Sequence, residues 1–173
     1  MKLILITTPQ YFVEEDQIIT NLFDEGLDVL HLRKPDTASA YAERLLTLIP
    51  EKYRKRIVVH DHFYLKNEYK LKGIHLSHRN PIIPDNYTGH ISASCHTLEE
   101  VEADKKNCDY VFLSPIFDSI SKQGYHSAFT AETIREAARK GIIDKKVIAL
   151  GGVDEDNILR VKAVSYTHLR AHE

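Results

Sequence analysis

Short apolar runs alternate with longer amphipathic segments along most of the chain. The runs are long enough for buried strands and too short for helices with an exposed face, whereas the longer segments repeat apolar residues at helical spacing. The runs predict seven strands, at Leu3–Thr7, Val29–Arg33, Ile57–Asp61, Gly73–Ser77, His90–Cys95, Tyr110–Leu113 and Lys146–Val153. The segments between them predict helices at Glu14–Glu25, Ala38–Ile49, Phe63–Lys70, after Thr97, and at Thr130–Lys140. This alternation indicates an α/β fold whose parallel strands are joined by helical crossovers.

Residues that start or stop helices support these bounds. Gly26 and Gly141 follow predicted helices, as C-terminal glycines do, and Pro50 closes another helix. Thr97 and Glu100 have the spacing of a capping box, in which the two side chains satisfy free backbone N–H groups at a helix start.

Polar residues cluster where the predicted strands end. Two architectures fit the element order, a (β/α)8 TIM barrel and an open doubly wound sheet. No G-x-G-x-x-G follows the first strand, which weakens the dinucleotide-binding form of the open sheet. A barrel builds its active site from the loops after its strands, so a ring of polar residues there favours the barrel. The ring consists of Thr7, Thr8, His31, Arg33, His60, Asp61, Ser77, His78, Ser94, Ser114, Gly151 and Gly152.

Composition narrows the classes of partner. The chain of 173 residues fits one domain, and its net charge of −2 gives no sign of nucleic-acid binding. No apolar run approaches the roughly 20 residues of a membrane span. Cys95 and Cys108 match no zinc motif, and free thiols fit a reducing compartment. We therefore expect a cytoplasmic protein with neither a nucleic-acid nor a membrane partner.

Two loops after late strands are suited to binding phosphate. The loop after Tyr110–Leu113 carries Ser119, Ser121 and Lys122, which offer hydroxyl donors and a cation. Gly151–Gly152 lies before a predicted helix, where paired glycines let backbone N–H groups approach an anion near a favourable helix dipole. Barrels commonly bind phosphate at such late loops. We expect the two loops to converge on one anion site at the C-terminal mouth of the barrel.

Several motifs in one order resemble the thiamine phosphate synthase/TenI superfamily, whose members are phosphate-binding (β/α)8 barrels. The likeness covers roughly residues 1–163. The motifs are HLRK at 31–34, HD at 60–61, GIHLSHRN at 73–80, SASCHTLEEV at 92–101, DYVFLSPIF at 109–117, SISK at 119–122 and IALGGV at 148–153.

The resemblance implies one set of roles if the chain is a synthase. That enzyme joins a pyrimidine diphosphate to a thiazole phosphate, and a magnesium ion and cations stabilise the departing diphosphate. The resemblance makes Arg33 the synthase arginine, Asp61 a magnesium ligand and Ser94 a diphosphate-binding serine. The positions that match the late-loop lysine and the thiazole phosphate site are Lys122, Ser119, Ser121 and Gly152.

Other positions depart from the synthase pattern and resemble TenI, whose activity is a thiazole tautomerase. His31 replaces a glutamine, Pro35 stands where a second cation belongs, and Asn80 replaces a second magnesium carboxylate. Lys34 could supply the displaced cation. Magnesium prefers charged oxygen ligands, so we expect synthase activity to be weak. The H-x-R strand and the L-x-H-R run match TenI, and His78 matches its catalytic histidine.

The tautomerase is accordingly our first functional prediction from the sequence. His78 would move the proton, because a histidine titrates near neutral pH. Arg33 and His31 would act beside it, and His60 and Lys34 would bind substrate or phosphate. Asp61 would bind metal or pair with Arg33.

The alternatives are the synthase, which alone requires Mg2+, and a non-catalytic phosphate-binding regulatory barrel. An unrelated isomerase or aldolase is a third. No lysine lies within an apolar strand, which argues against the Schiff base of an aldolase. The expected ligand is thiazole phosphate, and a homodimer is left open. Four further histidines are read as surface or packing residues: His62, His90, His96 and His126.

The C-terminal tail at 164–173 does not resemble the family. Barrels of this kind continue to an apolar eighth strand and a final helix, but Ser165–Glu173 has no apolar run. We expect residues 1–163 to form the single barrel domain, with strand eight and the final helix missing or atypical. Ser165–Glu173 is expected not to pair as that strand, through truncation or a sequence artefact, which would leave exposed strand edges.

Overall fold

The computed structural model describes residues 2–116, 129–151 and 168–169. The strands are β1 Lys2–Ile6, β2 Val29–Leu32, β3 Ile57–Val59, β4 Gly73–Leu76, β5 His90–Cys95, β6 Tyr110–Leu113, β7 Val147–Ala149 and β8 His168–Leu169. The helices are α1 Glu15–Asp24, α2 Ser39–Leu48, α3 Glu51–Arg54, α4 Leu65–Glu68, α5 Leu98–Asp104 and α6 Ala131–Arg139. All seven predicted strands are confirmed, several of them shorter than expected. No helix in these ranges is both long and apolar enough to cross a bilayer.

Ile4–His90 forms one compact unit, in which β1 to β4 pair in parallel and in chain order. Most residues of its strands are apolar, and β2 and β3 are buried along their whole length. Helix α1 buries Ile19 and Phe23, and the Phe23 ring stacks on Tyr53 at 5.0 Å between centroids. Gly26 then ends that segment with φ of +105°, a conformation that glycine adopts without strain.

The described residues from Ile91 onwards form a second compact unit together with Lys2 and Leu3. Here β5, β6, β7 and β8 pair in parallel, again in chain order. Helices α5 and α6 begin as predicted, because the hydroxyl of Thr97 accepts a hydrogen bond from the Glu100 N–H and that of Thr130 accepts one from the Thr133 N–H. The Glu100 carboxylate also accepts the N–H of His96 at 2.6 Å. The predicted cap at this helix is confirmed.

The tail contributes a short eighth strand. Leu169 pairs with Ala149 of β7 and with Leu3 of β1. The prediction that the tail does not pair is therefore wrong for His168–Leu169, because the backbone N–H and C=O groups at the edges of β1 and β7 form hydrogen bonds with this short strand. Ser165–Thr167 lie outside the described residues.

The strand order β1 to β8, closed by β8 on β1, is that of a (β/α)8 barrel. The predicted fold class is confirmed, and the two-residue β8 is atypical, as that prediction allowed. The division into a domain at 1–163 and a tail at 164–173 stays a prediction.

Candidate functional site

A cavity of about 270 Å³ lies at the carboxyl ends of β2, β3 and β4. It is lined by Lys34, Asp36, Thr37, Asp61, His62, Arg79 and Asn80. Each lies two to five residues after the end of its strand, so the parallel topology that brings the strand ends together also brings these side chains together. The lining combines two cations, two carboxylates, an amide, a hydroxyl and an imidazole. That composition suits a charged, oxygen-rich ligand better than an apolar one.

Two lining residues have a left-handed backbone, with φ of +60° at Asp36 and +53° at His62. Non-glycine residues rarely adopt this conformation, and such residues cluster at ligand sites where the surrounding structure holds them. His62 is held by a hydrogen bond of 2.9 Å between its Nε2 and the carbonyl of Thr37. This bond ties the loop after β3 to the loop after β2 at the edge of the cavity.

Asp61 and Asn80 both line the cavity and are in contact with each other. They are the two positions that the resemblance relates to magnesium. The side-chain nitrogen of Asn80 donates to Asp61 Oδ1 and to the carbonyl of His60, each at 3.0 Å. Both partners are acceptors, so the amide nitrogen is the atom that points at them, and neither bond uses Asn80 Oδ1. One carboxylate and one amide oxygen are donors that suit a hard cation retaining several waters. The two residues therefore fit Mg2+, with one charge fewer than a pair of carboxylates.

Lys34 lines the cavity, but its charge is already compensated. Its Nζ lies 2.5 Å from Glu15 Oε1 and 2.7 Å from the carbonyl of Gln10, and the Lys34 and Glu15 side chains are 3% and 5% exposed. Burial raises the pKa of the Glu15 carboxyl, and the hydrogen bond and charge of Lys34 oppose that rise. Substrate binding by Lys34 stays a prediction. What the structure shows for this side chain is a buried ion pair with Glu15.

Arg33 is half-buried at the end of β2. Its guanidinium makes no hydrogen bond or ion pair with another residue of the described ranges, so the proposed structural pair with Asp61 is absent from them. The backbone is fixed instead: Arg33 N–H donates to Thr7 Oγ1 at 3.0 Å, and that hydroxyl donates to the Arg33 carbonyl at 3.1 Å. The backbone of Arg33 is thus held in place, and its guanidinium has no partner among the described residues.

His78, the predicted proton-transfer residue, lies on an exposed turn after β4. The turn is closed by paired backbone bonds between Ser77 and Asn80, at 3.0 and 3.2 Å. Arg79 points to Asp36 and pairs with it. The turn therefore directs Arg79 and Asn80 to the cavity, and His78 is not among the residues that line it. Its catalytic role stays a prediction.

His31 and His60 lie in a buried cluster with His75, a residue that sequence reasoning did not single out. His31 and His75 have no exposed surface and His60 is 7% exposed. His31 Nδ1 lies 2.9 Å from His60 Nε2. Burial first, then the charges of His90 and Arg33, lowers the pKa of His75 to about 3, so this imidazole is neutral. His31 and His60 are not among the residues that line the cavity, and their predicted ligand contacts stay predictions.

In the second unit the two predicted phosphate loops leave adjacent strand ends. The Ile116 N–H donates to the Leu150 carbonyl at 3.0 Å. A Cβ on Gly151, whose φ is +89°, would lie 3.1 Å from the Cα of Pro115, so only glycine fits there easily. Both loops thus begin at the same end of the sheet, as predicted. Ser119, Ser121, Lys122 and Gly152 lie outside the described residues, and their shared anion site stays a prediction. Ser94 is half-buried near the end of β5.

Sequence reasoning missed several cavity residues. Asp36, Thr37, His62 and Arg79 come one to four positions after the predicted strands, in loops whose path no periodicity describes. Their place directly after the predicted strands was the available signal. His75 had a clearer one, because it lies two residues after Gly73 on the strand face that His31 and His60 also occupy.

Comparison with known proteins identifies the class to which this fold and site belong. The chain matches the sequence model of the family described as thiamine monophosphate synthase over residues 3–168. It is 28% identical over 164 residues to a thiamine-phosphate synthase of Dictyoglomus turgidum, covering 88% of this chain and 73% of that protein. It is also 28% identical over 174 residues to a thiamine-phosphate synthase of Shouchella clausii, covering 92% and 81%.

A solved structure agrees. The crystal structure of a thiamine phosphate pyrophosphorylase from Bacteroides thetaiotaomicron has a TM-score of 0.90 to this chain, with 57% identity over 99% of this chain and 82% of that one. These matches define a barrel enzyme of thiamine biosynthesis. The chain belongs to the TMP-TENI family of thiamine monophosphate synthases.

Proposed function

We propose that the protein is a thiamine-phosphate synthase, which transfers a hydroxymethylpyrimidine group from its diphosphate to thiazole phosphate. The likeness that carries the proposal is the thiamine phosphate pyrophosphorylase that is 57% identical over nearly the whole chain. The charged cavity at the ends of β2 to β4 supports it, because a diphosphate needs cations and a bound metal around it.

The reaction breaks one bond and forms one. The C–O bond between the pyrimidine methylene and the diphosphate breaks, and its electron pair leaves with the diphosphate. The lone pair of the thiazole nitrogen forms the new C–N bond to that methylene. The products are thiamine phosphate and diphosphate, and negative charge accumulates on the leaving oxygen. The main task of the protein is therefore to hold both substrates and to stabilise that charge.

In this proposal Arg33 contacts the diphosphate. Its guanidinium has no partner in the described ranges, and Arg33 directly precedes Lys34, which lines the cavity. A planar guanidinium binds phosphate oxygens in pairs. Lys34 adds little net charge, since Glu15 neutralises it at 2.5 Å. Lys34 and Arg79 would instead shape the walls through their pairs with Glu15 and Asp36.

Asp61 and Asn80 would hold the magnesium ion. A bound Mg2+ supplies positive charge that stabilises the departing diphosphate. Asp61 provides the carboxylate, and the hydrogen bond from the Asn80 nitrogen fixes the orientation of both side chains. One carboxylate would make the site weaker than a pair would.

The synthase thus replaces the tautomerase as the preferred function. The family relatives named above are synthases or pyrophosphorylases. The histidine on which the tautomerase depends, His78, is exposed and is not among the cavity residues.

The test supplies the purified chain with both synthase substrates and Mg2+, and in a separate reaction with the thiazole carboxylate tautomer. Thiamine phosphate is measured by fluorescence after oxidation to thiochrome. We expect thiamine phosphate, and a higher Mg2+ requirement in Asp61→Asn. Glu132→Gln, an exposed position on α6, is the matched control and should behave as wild type.

Aromatised thiazole in the second reaction, with no thiamine phosphate in the first, would replace the proposal with the tautomerase. Binding of thiazole phosphate without turnover in either reaction would identify a non-catalytic phosphate-binding barrel.

A further inference from the structure

Three histidines converge inside the first unit because their strands are in register. His31 pairs with Val58, and Val58 pairs with Gly73, so these three positions share one face of the sheet. His60 and His75 lie two residues further along their strands and therefore point to the same side. The ring centroids are 5.1 Å apart for His31–His60 and for His31–His75, and 4.1 Å apart for His60–His75.

We propose that His31, His60 and His75 form a transition-metal site, best matched to Zn2+. Each imidazole has a nitrogen that could bind the ion, and these three atoms all lie within 4.8 Å of one another. The proposal rests on this cluster alone and does not depend on the synthase activity. It is also separate from the Asp61–Asn80 pair, whose oxygen donors suit Mg2+.

The distances require only small side-chain movements. Zinc binds imidazole nitrogen at about 2.0–2.1 Å, which in a tetrahedral site separates the ligand atoms by about 3.4 Å. His31 Nδ1 and His60 Nε2, at 2.9 Å, have to move apart slightly, and the other separations, none above 4.8 Å, have to shorten by at most about 1.4 Å. A water can take the fourth position.

The nitrogen donors favour a transition metal over magnesium or calcium. Imidazole suits zinc, copper, iron and nickel, whereas magnesium and calcium prefer oxygen. All three histidines are buried, and a metal binds the neutral form of imidazole. The described ranges contain no other group of three such ligand residues.

A proton has to move when the ion binds. Without metal, the 2.9 Å contact between His31 Nδ1 and His60 Nε2 requires one of these nitrogens to carry a hydrogen. A metal that takes both lone pairs leaves each neutral ring with its hydrogen on the far nitrogen, so the ring that donated changes tautomer. No net proton is released. The competing explanation is that the three histidines only fill the core, and it predicts no such change of tautomer.

Arg33 allows a second test, in which a substitution should strengthen Zn2+ binding instead of weakening it. Its positive charge contributes to the lowered pKa of His75. A nearby cation opposes a bound dication by simple Coulomb repulsion. Removal of the guanidinium should therefore tighten Zn2+ binding, whereas removal of a ligand should weaken it.

The experiment measures Zn2+ binding to the full chain after chelation, by competition with a chromophoric chelator in excess Mg2+. We expect one equivalent to bind in wild type. His31→Gln and His75→Gln should each weaken binding by more than the 10–100-fold typical of an outer partner. Arg33→Gln should tighten it. His96→Gln, an exposed histidine outside the cluster, is the matched control and should bind as wild type.

Co2+ provides a direct view of the ligands. Tetrahedral nitrogen coordination gives intense visible ligand-field bands, which should appear in wild type and in His96→Gln and be lost in His31→Gln. Far-UV circular dichroism checks that each variant folds, and His60→Gln, at the least buried of the three, replaces any variant that does not. Stoichiometric Zn2+ binding that survives these ligand substitutions, or no binding in wild type, would overturn the proposal.

Discussion

The buried pair of Lys34 and Glu15 makes a sharp prediction about stability. Both side chains are at most 5% exposed, and Glu15 Oε2 is buried with no hydrogen-bond partner in the described ranges. Lys34→Met would leave this carboxylate without its cation. Breaking a buried ion pair by removing one partner costs about 3–5 kcal/mol, a large share of the roughly 5–15 kcal/mol that stabilises a domain. We expect that loss in the free energy of unfolding at about pH 8.

The loss should shrink at acidic pH. Burial raises the pKa of the Glu15 carboxyl, and Lys34 opposes the rise, so the pKa is higher still in the variant. An acid whose pKa is raised by folding favours the folded state when protonated, and this contribution disappears as pH rises through the folded-state pKa. Lys34→Met should therefore be less destabilised at about pH 5 than at about pH 8, as measured by urea unfolding.

Two further variants control this experiment. Glu15→Leu combined with Lys34→Met should recover most of the loss, because an apolar pair often replaces a buried ion pair without cost. Lys140→Met, in the exposed pair with Glu136, should unfold as wild type does. A loss below about 1 kcal/mol, which is the value of a surface pair, or an equal loss at both pH values would refute the reasoning.

Three other substitutions test separate parts of the structure. Gly73→Ala would place a Cβ 2.0 Å from the backbone oxygen of His90, so it should cost about 3 kcal/mol or more in urea unfolding; wild-type stability would contradict this packing. Thr97→Ala removes the cap of α5 and should cost about 1 kcal/mol in the same assay, and no change would show that the cap is dispensable. Asn80→Asp supplies a second carboxylate and should lower the Mg2+ concentration needed for half-maximal synthesis, whereas an unchanged requirement would remove Asn80 from the metal site.

The strands were predictable because each is a short apolar run that the fold buries. Helix α3 was not predicted, because its four residues after Pro50 are too few to show a helical spacing of apolar residues. Strand β8 was missed for another reason: only two of its residues pair, too few to show as an apolar run in the sequence.

The site was predictable as a place more than as a list of residues. Asp61 and Arg33 lie at strand ends, as the barrel topology requires, and the sequence identified both. The pairing of Lys34 with Glu15 could not be predicted, because it depends on how α1 packs against the end of β2. Side-chain direction explains the remaining difference: the turn after β4 directs Asn80 to the cavity and leaves His78 on an exposed position.

The most direct test of the proposed function is the synthase reaction itself. Wild-type protein, the pyrimidine diphosphate, thiazole phosphate and Mg2+ are combined, and thiamine phosphate and released diphosphate are measured together. The proposed function predicts equal amounts of both products, dependent on Mg2+ and strongly reduced in Arg33→Gln. Release of diphosphate without thiamine phosphate, or no turnover by a folded protein at saturating substrates, would contradict it.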